Sequence, residues 1–404
     1  MQTTQPPSRP MQPGLDLITE EKAARASRHK RHTLFHVENT RYDYLRTLDK
    51  RPNGEVLMLA ARHEKHGLTG PVVIKRVRSP TTYERRQRLK EEVQLAYRLN
   101  HPAIAQVHQW KVHERKPYVV MEYVDGPTLE AVLNLMALRR QPISRAFALY
   151  VAAEVADALH HAHRLTDDAG RPLGLVHRDV SPRNVSLSRE GAVKLTNFGV
   201  AYTHLAGREE TQGALRKGDV AYASPEYLAC QPLTPAADIF SLGLVLLELA
   251  TGYHLFHAAL ERMPEEEASG EERKVRVEEQ PSLPLTRMLT LVATYTPEDV
   301  VRAAATLPAD FQAVLQQALR RGPGERPATA GDMRDALRAC LAREQQAAGG
   351  GVYGRQEAAM ELARLITEAS ASRDVADLDD ESLFASGLEA HELGVPPSGG
   401  KPRP

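Results

Sequence analysis

Cysteine is almost missing from this sequence: Cys230 and Cys340 are the two among 404 residues. That excludes a disulfide scaffold and a Cys-rich metal site. Net charge is missing as well, since 52 lysines and arginines balance 52 aspartates and glutamates. Nothing therefore marks the whole chain as a nucleic-acid or membrane-surface binder. There is no long hydrophobic run either. The longest, Ile239 to Ala250, is too short to span a bilayer and holds Glu248, so it reads as a buried helix. The opening Met-Gln-Thr-Thr-Gln-Pro-Pro lacks the charged-then-apolar pattern of a signal peptide. The expectation is a cytoplasmic protein with no membrane span and no nucleic-acid partner.

What is present divides the chain. Residues 1–41 read as a flexible tail, rich in Gln, Pro and Ser and then basic. From Tyr42 to Val124 short apolar runs alternate with polar breaks. Glu55 to Ala60, Pro71 to Val77 and Tyr118 to Val124 are predicted strands, and 83–99 is a predicted helix with Leu89, Val93 and Ala96 on one face. Over 125–343 helices dominate. Pro142 is placed for the first turn of one that runs to about His163. Residues 262–283 are acidic with Pro, Ser and Gly and read as a surface insertion. The extension 344–404 begins at a Gly-Gly-Gly break, with a helix expected at about 355–370 and a disordered tail after it. A β-rich part followed by a helical part indicates two lobes in an α+β fold, with a ligand cleft at their junction near 121–126.

The strongest local signal is His177-Arg178-Asp179-Val180-Ser181-Pro182-Arg183-Asn184. A carboxylate with an amide five residues on puts a base and a metal ligand at one point. Gly191 to Thr196 follows as a turn and strand that delivers Asn197-Phe198-Gly199. Upstream, Val73-Ile74-Lys75 sets a lysine on a strand, and Glu92 on the next helix is spaced to pair with it. Phosphoryl transfer from ATP needs this set: a cation on the phosphates, a carboxylate to accept a hydroxyl proton, and metal ligands across the β/γ oxygens.

With these motifs in this order the chain resembles the eukaryotic-like (Hanks-type) Ser/Thr protein kinases of bacteria, over about residues 42–343. Ser224-Pro225-Glu226 looks like the Ala-Pro-Glu motif and Asp238 to Gly243 like the Asp-x-x-Ser-x-Gly helix start. Arg326 matches the distal arginine that pairs with that glutamate. The resemblance implies a two-lobed kinase fold, with the small lobe over 42–124 and the large lobe over 125–343. It also implies ATP with Mg2+ as cofactors and a protein substrate or partner. By the same resemblance Asp179 is the catalytic base, Lys75 and Glu92 the phosphate-binding pair, and Asn184 and Asn197 the metal ligands. Met121 matches the gatekeeper, and Glu122, Tyr123 and Val124 the adenine-contacting hinge. Arg178 would await a phosphorylated Thr203 or Thr211.

The pattern also departs from the family. Asp49-Lys50-Arg51-Pro52-Asn53-Gly54 keeps only the third glycine, Gly54, of the phosphate loop, where side chains and a proline oppose close backbone approach to phosphate. Asn197 stands where the family has a magnesium-binding Asp; an amide oxygen ligates a hard cation but brings no charge. Ser181 replaces a lysine, with Arg183 as the substitute cation, and Asp219 replaces a threonine. The reading is a signalling pseudokinase or severely impaired kinase acting through partners and ATP. The alternative is an active Ser/Thr protein kinase.

Overall fold

The computed structural model describes residues 32–50, 55–65, 67–77, 95–114, 116–139, 142–198, 220–256 and 285–371. Several expectations fall outside them: the tail over 1–31, residues 51–54 of the phosphate loop with Gly54, Glu92, the threonines at 203 and 211, Asp219, the insertion at 262–283, and residues 372–404.

Six strands form one antiparallel sheet: β1 (His32–Val37), β2 (Thr40–Lys50), β3 (Val56–Glu64), β4 (Gly67–Arg76), β5 (Val107–His113) and β6 (Lys116–Glu122). Their spatial order is β1-β2-β3-β4-β6-β5. The expected tail through residue 41 is corrected here. β1 pairs with β2, and Phe35 of β1 is 2% exposed, its ring 5.1 Å from that of Tyr42 and 5.0 Å from that of Tyr118. These rings pack with Met58, Ala60, Val72, Ile74 and Val120 as a small separate core. The alternation His-Thr-Leu-Phe-His-Val is short, and the basic composition before it hides the strand.

The second lobe is helical: α1 (Leu129–Arg139), α2 (Arg145–His163), α3 (Pro225–Leu228), α4 (Ala236–Thr251), α5 (Leu285–Thr294), α6 (Pro297–Ala303), α7 (Ala309–Ala318), α8 (Ala330–Ala347) and α9 (Arg355–Ala371). A hairpin of β7 (Val185–Leu187) and β8 (Val193–Leu195) lies against it. α2 begins one turn later than Pro142 suggests. Ser144 is the N-cap and its hydroxyl accepts from Phe147 N, so cap chemistry rather than the proline sets the start. α4 is buried on nearly every side, as a helix with apolar residues all round must be, and Gly252 ends it at φ +79.

α9 is docked on the lobe. Ala358, Leu362, Leu365 and Ala369 are buried in the main core. Glu361 accepts from both the backbone N–H and the hydroxyl of Ser144 at 2.7 Å, which fastens α9 to the start of α2. At its N-terminal end the Arg355 carbonyl lies 1.9 Å from where a Cβ on Gly191 would stand, so only glycine fits the β7–β8 turn there.

Candidate active site

The cleft is assembled by three backbone devices. The first fixes the loop that carries Asp179. Asp238, at the start of α4, is fully buried and accepts from His177 N at 2.7 Å and Arg178 N at 2.9 Å, with His163 Nε2 at 2.8 Å. Arg178 sits at φ +66, a conformation that costs a non-glycine residue about 1–2 kcal/mol, and the Asp238 clamp holds it there. Burial alone pushes the Asp238 carboxyl up. The hydrogen bond and charge of His163, with His177 beside it, bring it below the usual carboxylate range.

The second device positions the amides. Asn184 Nδ2 donates to the Asp179 carbonyl at 2.8 Å and to Ser181 Oγ at 3.3 Å. With the amine end committed, the carbonyl end of Asn184 is the end that could accept or ligate. Its backbone carbonyl accepts from Thr196 N at 2.8 Å, tying the loop to the strand that delivers Asn197. Asn197 adopts φ +65, where asparagine and aspartate are the most tolerated ordinary residues. His177 and Phe198 meet edge-on, ring centroids 4.5 Å apart. His177 Nδ1 accepts from Asp179 N, which leaves the proton on Nε2 to donate to the Thr196 carbonyl at 3.0 Å.

The third device joins the lobes. Glu122 closes β6, and its carboxylate meets Lys194 Nζ of β8 at 2.8 Å while accepting from Gln106 N at 2.9 Å. Gly126 lets the chain leave the hinge, since a Cβ there would stand 2.0 Å from the Leu187 carbonyl. Met121 pairs with Val73 of β4, and Tyr123 and Val124 follow half-buried.

Lys75 Nζ lies 3.4 Å from Asn197 Oδ1, and Asn197 Nδ2 lies 3.3 Å from Asp179 Oδ2. Lys75, Asn197, Asp179 and Asn184 are thus brought together, as the sequence implied, while Glu92 and Gly54 lie outside the described residues. Arg183 is exposed on its loop, its guanidinium 3.9 Å from Glu130 of α1. Sequence reasoning missed Glu55, whose carboxylate is 3.0 Å from Lys75 Nζ. It also missed Lys194 and its bridge to Glu122. The strand register carried the signal for Glu55. Leu57 pairs with Lys75, so alternate side chains put Leu57 and Glu55 on the lysine's face and Val56 on the other.

These oxygens suit a hard cation such as Mg2+ in kind: one carboxylate and two amide carbonyls beside a buried ammonium. Among the described residues no cluster of three His, Cys, Asp or Glu side chains stands ready to hold a metal, so phosphate oxygens would have to complete the shell. No described helix is long and apolar enough to cross a membrane.

Away from the cleft, Glu226 and Arg326 form the buried pair the sequence implied, at 2.7 and 2.8 Å. The remaining guanidinium N–H groups donate to the carbonyls of Arg320, Ala236 and Arg321, and the guanidinium carbon lies 4.8 Å from the centre of the Phe240 ring.

A family model described as a protein kinase domain matches residues 53–338. Among curated relatives, the tyrosine-protein kinase MasK of Myxococcus xanthus is 32% identical over 240 residues, 59% of this chain and 37% of that protein. The serine/threonine-protein kinase PknK of Mycobacterium bovis is 33% identical over 251 residues, 62% of this chain and 19% of that one. PknB of Mycobacterium tuberculosis, a serine/threonine-protein kinase, is 31% identical over 265 residues, 64% and 36% of the two chains. The chain therefore spans 19% to 37% of the length of these relatives.

Proposed function

The chain belongs to the protein kinase family, and from that premise we propose that it is a signalling pseudokinase or severely impaired kinase, acting through a protein partner and bound ATP. The observation that carries this reading is the amide at Asn197. By resemblance it stands where the family has a magnesium-binding aspartate, and it contacts both Lys75 and Asp179, yet it brings no charge. Lys75 would hold the phosphates, the hinge from Met121 to Val124 the adenine, and the Asn184 and Asn197 carbonyls the cation. Bound magnesium-ATP would supply the transferable phosphoryl group and neutralise its developing charge. The protein's own share is to hold Asp179 where a hydroxyl proton can be accepted, and that part is intact. A missing metal carboxylate removes charge stabilisation where transfer needs it most, at a cost on the order of 10²–10³ in rate for one electrostatic contact.

A second reading, an active kinase, is favoured by one specific feature: the loop that carries Asp179 and Asn184 is held by the Asn184 side chain from within and by Asp238 from below. The named relatives divide between tyrosine and serine/threonine kinases, so phosphoamino-acid analysis would assign the acceptor hydroxyl under that reading.

Equilibrium ATP binding to the full chain tests the proposal, measured in EDTA and in magnesium. Binding that magnesium improves less than tenfold is the expected result, because the Asn184 and Asn197 carbonyls bring the cation no charge. Absence of binding in both buffers would remove nucleotide from the proposal, and a much steeper magnesium dependence would remove the defect at Asn197.

A further inference from the structure

The kinase-domain match ends at residue 338, and α9 begins beyond it, at Arg355. The first residue of α9 grips the turn of the β7–β8 hairpin. Arg355 donates to the Glu190 carbonyl at 3.0 Å and to the Glu190 carboxylate at 2.8 Å, and its own carbonyl stands against Gly191. Tyr150 of α2 holds the same turn, its hydroxyl donating to the Gly191 carbonyl at 3.0 Å. Toward its other end α9 grips α1: Arg139, the last residue of α1, donates to the Glu368 carbonyl and lies 3.9 Å from the Glu368 carboxylate. Both gripped elements lead to the nucleotide cleft. At the open end of the hairpin, Asn184 immediately precedes β7, and Asn197 follows β8 after Thr196, whose N–H donates to the Asn184 carbonyl. At about 3.3 Å per strand residue, the gripped turn is roughly 10 Å from the two amides. α1 starts where the hinge ends, and the hinge exit is itself bonded to the hairpin: Leu187 N donates to the Pro127 carbonyl at 2.9 Å and Arg189 N to the Asp125 carbonyl at 2.7 Å. Hairpin and α1 thus form two sides that meet at the hinge exit. α9, 17 residues and about 25 Å long, closes the third side.

We propose that α9 is a strut coupled to the nucleotide: docked, it holds the hairpin so that the Asn184 and Asn197 carbonyls serve one cation, and bound magnesium-ATP in turn tightens α9 on the lobe. The inference rests on the nucleotide-binding reading above and adds to that site a regulating segment outside the kinase domain. Arg355 is the positioning residue; it acts through the hairpin and touches no ligand. The hairpin needs such a grip. It is held by three paired positions, Val185 with Leu195, Ser186 with Lys194 and Leu187 with Val193, and an isolated two-stranded hairpin is marginally stable. Fraying from the turn travels along these pairs to the two amides. The coupling is reciprocal by linkage. A partner that takes α9 off the lobe weakens magnesium-ATP binding, and magnesium-ATP makes α9 harder to take.

The test uses the full chain as wild type, Arg355→Ala and Arg364→Ala, with two readouts of backbone hydrogen exchange. Arg364 is the control: it lies on the same helix, is 70% exposed, and approaches Glu368 at 4.0 Å. The first readout is taken without nucleotide. Arg355→Ala should speed exchange over residues 185–197 roughly two- to fivefold, the scale of one lost hydrogen bond and an exposed ion pair, while Arg364→Ala exchanges there like wild type. The second follows residues 355–371 of the wild type with magnesium-ATP and with adenosine, beside equilibrium binding of each. Magnesium-ATP should slow exchange of α9 roughly two- to fivefold, and adenosine, which brings no phosphates to share a cation, should leave it unchanged. Unchanged hairpin exchange in Arg355→Ala would overturn the grip. Equal acceleration in both variants would assign the effect to the charge of the helix and overturn the role of Arg355. Bound magnesium-ATP that leaves α9 exchange unaltered would overturn the coupling. Equal protection by adenosine would route the link through the hinge, which overturns the route through the two amides. If neither nucleotide binds while Arg355→Ala still loosens the hairpin, the nucleotide reading fails and the coupling with it, but the grip stands.

Discussion

Asn197 donates its side-chain N–H to the Asp179 carboxylate at 3.3 Å, a bond that an ionised aspartate at 197 has no hydrogen to make. Asn197→Asp would set a second carboxylate against the first. Without a cation the variant should lose about 1–3 kcal/mol of stability through like-charge repulsion. Magnesium with ATP should return that loss, because two carboxylates form a stronger cation site than a carboxylate and an amide. Thermal melts in EDTA and in magnesium-ATP check this. A variant that melts identically in both would mean that residue 197 does not contribute to a cation site.

Glu226 and Arg326 form a closed pair in which every guanidinium N–H is used. Truncating one partner strands a buried charge, at about 3–5 kcal/mol, whereas replacing both with apolar residues of similar volume should cost much less. Urea unfolding of Arg326→Ala beside the double replacement Glu226→Leu/Arg326→Met measures the difference. Equal costs would show that the arginine stabilises by packing on Phe240 and not by its charge.

Asp238 gives a pH-dependent prediction. Its folded-state carboxyl lies below the ordinary carboxylate range, so the stability it contributes is present above about pH 4 and is lost as pH falls through the depressed value. Asp238→Asn should cost about 1–3 kcal/mol at neutral pH. The gap between wild type and variant should then narrow as the solution is acidified below about pH 4. A gap that stays constant from pH 7 to pH 3 would contradict the clamp.

The C-terminal helix should be part of the folded unit. Removing residues from 355 onward uncovers the core face that holds Leu362 and Leu365, at about 1.5–3 kcal/mol for each leucine. Gly191→Ala should undo the same contact from the other side, because its Cβ would meet the Arg355 carbonyl and φ +79 disfavours a side chain. If Gly191→Ala has no effect in the full chain but the truncation does, the helix has another anchor.

Much of this was legible in the sequence because the relevant signals are local. The loop from His177 to Asn184 and the apolar run of α4 can be read from spacing alone, and both stand where expected. The Glu226–Arg326 pair spans 100 positions and was reachable only because each half sits in a short recognisable motif. The rest depended on pairings that no local pattern encodes. β1 is a short strand behind a basic stretch, and it becomes visible once Phe35 is seen capping the small core. Glu55 and Lys194 are ordinary charged residues in sequence. Register places the first beside Lys75, and the fold of β8 under the hinge places the second beside Glu122. Ser144 outranked Pro142 as a helix start because a side-chain cap satisfies an N–H that a proline two positions earlier leaves open.

Phosphate transfer from radiolabelled ATP in magnesium, with wild type beside Asp179→Ala and Asn197→Asp, tests the impaired-kinase reading most directly. Wild-type signal at or near the Asp179→Ala level is the expected result. Asn197→Asp alone should restore little, since Asp49, Arg51 and Pro52 still stand where the family's phosphate loop has flexible sequence and productive geometry would remain rare. Robust wild-type transfer that vanishes in Asp179→Ala would contradict the reading and establish an active kinase in which asparagine suffices.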